Sequence, residues 1–110
     1  MKSVIDEILA ERERQKKEEG FSQQHDDRYR KGELVKAAIC FAAMSIGCPQ
    51  VLIKLAVHSM DVQSVWVDPW PWEEHWDKRN RHSANKCLVV AGALIVADLE
   101  RRSRAGETLV

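Results

Sequence analysis

Ile5, Ile8, Arg12, Gln15 and Glu19 follow one another at steps of three and four, a spacing that stacks them on one face of a helix. That face opens apolar and closes polar. An inward arginine can grip a phosphate or carboxylate through paired hydrogen bonds, and an inward glutamine can read polar edges. Just downstream, His25-Asp26-Asp27 and then Glu33 supply an imidazole and three carboxylates, oxygen donors of the kind magnesium or manganese takes. All four tryptophans lie between residues 66 and 76, as Trp66, Trp70, Trp72 and Trp76. Their flat faces can stack a nucleobase or receive a cation, with Lys78, Arg79 and Arg81 close by to meet phosphates.

Each constellation also has a plainer reading. The charged run from Glu11 to Glu19 reads as a solvated helix laced with opposite charges, such as Glu13 with Lys17. Asp26 or Asp27 can cap the second helix, leaving His25 an ordinary loop residue. Tryptophans in a proline-braced loop can form a lid on a small core. The chain contains no glycine-rich phosphate loop, no serine or cysteine nucleophile motif and no DNA-reading signature.

The elements that must position these residues are helical. Ser3 is placed to cap a first helix over Val4 to Glu19, with Asp6 three residues on, and Gly20 is placed to end it. Phe21 to Tyr29 is polar and irregular. Leu34, Ala37, Ala38, Phe41 and Met44 share one face of a second helix that Gly47 and Pro49 terminate. On its other side Lys36 faces solvent, while Cys40 and Ala43 are small enough to admit a neighbouring helix from this chain or a second copy. Val51 to Val57 is apolar enough for a buried strand or a short helix, and a short helix is the expectation, with Val65-Trp66-Val67 extended. Trp70 to Asn80 reads as a loop or single turn. From Ser83 to about Arg102 the chain is helical again, apolar on every side in its middle, which predicts a central helix surrounded by partners.

The 110 residues suit one domain with a modest core, residues 1–110 as a single helical unit. Lys+Arg and Asp+Glu are both 17, so there is no long-range field to draw nucleic acid or an anionic membrane. Cys40, Cys48 and Cys87 lack the paired spacing of zinc or redox motifs and read as reduced, small hydrophobes of a cytoplasmic protein. The N-terminus lacks the apolar segment of a secretory signal, and the apolar run Cys87 to Ala97 falls short of the roughly 20 residues a bilayer requires.

The order of the pieces Glu11-Arg12-Glu13-Arg14-Gln15, Glu19-Gly20-Phe21, His25-Asp26-Asp27 and Gly32-Glu33-Leu34 resembles the opening of MazG-like nucleotide pyrophosphohydrolases, which are all-helical. The chain is more similar to small helical proteins encoded by phages and prophages, which share this opening, an equivalent of Trp70-Pro71-Trp72, and an ending like Ala91-Gly92-Ala93-Leu94-Ile95 with Asp98 and Arg101. The hydrolase resemblance implies magnesium held by acidic residues three apart on two helices. Here the positions three from Glu33 are Arg30 and Lys36, and the residue three before Asp98 is Ile95, so hydrolysis is not expected.

The expected protein is therefore an all-α bundle of three to four helices with a Trp/Pro-rich loop, a homodimer, binding a nucleotide, cyclic nucleotide or similar anion. In it Arg12 and Lys78 contact phosphate, Trp72 or Trp76 stacks the base, and Trp70 and His25 are further ligand-binding candidates. Gln15 reads polar edges with Asp27 or Glu33. Resemblance to phage proteins implies sequestration of a host-defence signal. The alternatives are an anti-CRISPR-like inhibitor that binds a host defence protein, and a residual magnesium-dependent hydrolase. No cofactor is expected outside that last case.

Overall fold

A computed structural model describes residues 3–20, 22–48 and 68–110, apart from the His75 side chain, together with the backbone of 53–56 and 64–67. Helix α1 spans Val4–Glu18. Ser3 starts it with a reciprocal cap: its hydroxyl accepts from Asp6 N at 3.1 Å and its own N–H donates to the Asp6 carboxylate at 3.2 Å. Gly20 turns the chain out of the helix at φ 72°, a left-handed conformation that costs glycine little. A short α2, Gln23–Asp26, follows on a Ser22 cap, and the next helix starts from Gly32, so neither aspartate is an N-cap here. Helix α3 covers Glu33–Met44 and α4 covers Ala84–Arg104 from a Ser83 cap, as the periodicity predicts.

The result is a small all-α helical bundle. Leu34, Ala37, Ala38 and Phe41 of α3 pack on Cys87, Val90, Ala91, Leu94 and Ala97 of α4. So many small side chains bring the two axes close and leave α4 as the shared wall. Helix α1 lies on another side of α4, with Ile8 seated over Gly92; a Cβ there would stand 3.1 Å from Ile8 Cδ1. The expectation that α4 is enclosed on every side needs correcting, because Leu88, Ile95 and Leu99 form an exposed stripe beside Ile8. Two helices cover only two sides of a third.

The short helix expected over Val51 to Val57 gives way to a strand, β1 (Ile53–Ala56), which pairs antiparallel with β2 (Ser64–Val67), where Val65-Trp66-Val67 is extended as expected; Ile53 lies opposite Val67 and Ala56 opposite Ser64. An apolar run this short takes the form of whatever partner it finds, and the extended segment before Asp68-Pro69 supplies a ladder. The rest of that stretch, and Pro49, lie outside the described residues. Between β2 and α4 the chain makes two 3-10 turns, Glu74–Trp76 and Arg79–Arg81. On the small-residue side of α3 Cys40 is fully buried, its Sγ 3.9 Å from Asp68 Oδ1. Burial pushes that thiol up to about 11, which makes it inert at neutral pH. Cys48, in contrast, is exposed. No helix among the described residues is long and apolar enough to cross a membrane.

Candidate functional site

Arg12 points inward as its spacing predicts, but its charge is already matched within the protein. The side chain is 2% exposed, with Nη2 donating to Asp26 Oδ2 at 2.5 Å and Nε to Glu100 Oε1 at 2.9 Å. It thereby ties α1 to α2 and α4. The expected phosphate contact at Arg12 is corrected accordingly, since a guanidinium stripped of water is held by the carboxylates that share its burial.

The residue before it, Glu11, organises the polar stripe. Its carboxylate is buried and accepts from Arg14 Nε at 2.8 Å, Arg14 Nη2 at 2.7 Å, Lys86 Nζ at 2.8 Å and Gln15 Nε2 at 3.2 Å. Burial pushes the acid up, but the hydrogen bonds and charges of Arg14 and Lys86 outweigh it and hold the carboxyl at about 2. Sequence reading passed over Glu11 as one charge in a run. The signal was present, because Glu11 lies three residues from Ile8 and four from Gln15 on the same stripe.

Beside this stripe lies a cavity of about 690 Å3. Phe41, Val90 and Leu94 of the core form its base, and Tyr29, Trp70 and Trp72 line it with His25. These rings brace one another. Trp70 meets Trp72 edge-on with centroids 5.4 Å apart, Tyr29 tilts against Trp72 at 5.4 Å, and Phe41 meets Trp70 at 6.0 Å. His25 Nε2 lies 3.1 Å from the Tyr29 hydroxyl. The buried Arg79 guanidinium lies 5.5 Å from the Trp70 ring and is anchored by Asp77. Trp70 is thus held by Phe41, Trp72 and Arg79.

The polar lining comes from Arg14, Gln15, Glu19, Glu73, Lys78 and His82. Arg14 is shared among Glu11, Glu18 and Glu19, so its charge is largely met. Among the described residues Lys78 has no ion-pair partner, which leaves its ammonium available at the cavity. His82 packs on Phe41 at 6.1 Å, and burial, followed by the nearby Lys86 charge, lowers its pKa and favours the neutral ring.

The fold therefore brings together Gln15, His25, Trp70, Trp72, Trp76 and Lys78 from the expected site. It places three others elsewhere. Arg12 is in the ion pairs just described, Asp27 pairs with Arg104 Nη2 at 2.8 Å beside a separate hollow of about 110 Å3, and Glu33 accepts from Lys31 N at 2.7 Å at the start of α3. Glu33 serves the nearest unmet donor, which is local, whereas Asp27 is met by an arginine 77 residues away in the chain. Tyr29, Phe41 and His82 complete the cavity and were not singled out, because no spacing links them to the tryptophans. The Trp66 side chain lies outside the described residues.

The magnesium that the hydrolase resemblance implies does not fit these side chains. Asp27 and Glu33 are engaged as above, Asp98 is held by Arg101 at 3.1 Å and Arg102 at 2.6 Å, and among the described residues no three His, Cys, Asp or Glu are grouped to hold a metal ion. Comparison with known proteins finds no match: no family model, no curated protein and no solved structure resembles this chain closely enough to register.

Proposed function

We propose that this protein binds a nucleotide or nucleotide-like anion in the aromatic cavity and does not cleave it. The observation that carries the proposal is the cavity itself: braced rings from the segments around Tyr29 and Trp70-Trp72 border a space of about 690 Å3. That size suits a small organic ligand, for which clefts run from roughly 300 to 1,000 Å3. A planar base gains dispersion against Trp72 and Tyr29, and Lys78 takes the anionic end in place of Arg12. Resemblance to phage-encoded proteins gives such a binder the role of withdrawing a nucleotide signal from host defence in the cytoplasm; this part rests on the resemblance alone.

A second reading, a protein-binding inhibitor, is favoured by Trp76, which is 57% exposed at the cavity and could anchor a partner. The proposal also includes a second copy of the chain on the face where Ile5, Leu9, Leu88, Ile95 and Leu99 are between 42% and 63% exposed. A thermal-shift screen of mononucleotides and cyclic dinucleotides, with and without magnesium, tests the main reading, because a ligand that binds the folded state raises its melting temperature. Stabilisation that is lost in Trp72→Ala supports the binder. Turnover would favour a hydrolase, and silence across the screen would favour the protein partner.

A further inference from the structure

The amide of Gln15 can be oriented without seeing a hydrogen atom, because one of its ends touches a group that only accepts. Nε2 lies 3.2 Å from Glu11 Oε2, and the Glu11 carboxylate also receives Arg14 and Lys86, which hold it ionised. A carboxylate without a proton cannot donate, so the amino end of Gln15 faces Glu11 and the carbonyl end is turned away from it. That carbonyl oxygen has no hydrogen-bond partner, on a side chain that is 1% exposed and lines the aromatic cavity. Buried acceptors are normally satisfied, and one left over at a cavity is completed by a donor brought in from outside.

We propose that Gln15 Oε1 selects the ligand, so that the cavity takes a planar heteroaromatic ring bearing an exocyclic amino group and rejects the same ring without it. This inference rests on the cavity being a nucleotide site, and it names the chemistry of the base. An amino group supplies the N–H that Oε1 lacks. A ring with a carbonyl at that position sets two acceptors against each other, and the Gln15 amino group cannot turn to relieve them while Glu11 holds it. Glu11 is thus a positioning residue for the selecting atom.

The test is titration calorimetry of the full chain with two matched pairs: adenosine monophosphate against purine riboside monophosphate, and cytidine monophosphate against uridine monophosphate. At least one amino-bearing member should bind about tenfold or more tightly than its partner, since a site built around a hydrogen bond penalises its loss. Gln15→Met, similar in size without the acceptor, should bring that ratio within about twofold. Glu11→Gln should relax it too, because an amide at 11 can donate and lets Gln15 turn over; this variant decides if Gln15→Met does not fold.

Equal binding of both members of each pair, lost together in Trp72→Ala, would overturn the role of Gln15 while the cavity reading stands. A preference that persists in Gln15→Met also overturns it. No binding by any of the four overturns the cavity reading and this inference with it.

Discussion

Replacing Glu11 by glutamine removes a buried negative charge on which Arg14, Lys86 and Gln15 converge, and the cost can be worked from the shift of its carboxyl. The group moves from an ordinary 4.5 to about 2 in the fold. At roughly 1.4 kcal/mol per pH unit, that difference is worth about 3 kcal/mol at neutral pH. Arg14 and Lys86 are 32% and 40% exposed, so water screens them and about 2 kcal/mol is the better expectation. In a chain of this size that is a fall in Tm of about 8 °C. The pKa is lowered on folding, so the contribution is complete above pH 4.5 and is lost as the pH falls from there toward 2. Urea unfolding of wild type and Glu11→Gln at pH 7 and pH 3 checks this. The variant should be weaker at pH 7, with the gap shrinking by about half or more at pH 3. A gap of the same size at both pH values would refute the reasoning, because it would assign the loss to packing and not to the ionised carboxylate.

Two further outcomes follow from the same network and surface. Arg12→Met leaves Asp26 buried without its guanidinium and should cost about 3–5 kcal/mol in urea unfolding, with ligand affinity of the folded fraction unchanged; a loss below about 1 kcal/mol would show that the ion pair does not hold α1 to α2. Ile95→Asp, in the exposed α1–α4 stripe, should convert a dimer into a monomer in sedimentation velocity while the chain stays folded, and a wild type that is already monomeric would exclude the second copy from that face.

The difference between the expected site and the observed one turns on Arg12. Helix periodicity states that a side chain faces inward, and Arg12 does, but it does not state what will be there to meet it. Glu100 stands 88 residues away in the chain. The same limit applies to the tryptophans. Composition marks them out, and two of the four, Trp70 and Trp72, line the cavity partly buried, while the rings that complete it, Tyr29 and Phe41, carry no local sign that they will arrive beside them.

What the amino-acid sequence determined by itself is therefore local: the Ser3 and Ser83 caps, the stop at Gly20, and the apolar stripes of α3 and α4, each decided by groups within a turn of one another. Tertiary structure decided the strand pair before Asp68, the burial of Cys40 beside Asp68, the pairing of Arg12, and the freedom of the Gln15 carbonyl. Those outcomes depend on which distant surfaces share a volume. A buried charge or amide takes the partner that packing brings within about 3 Å, and sequence spacing carries no information about that distance across the bundle.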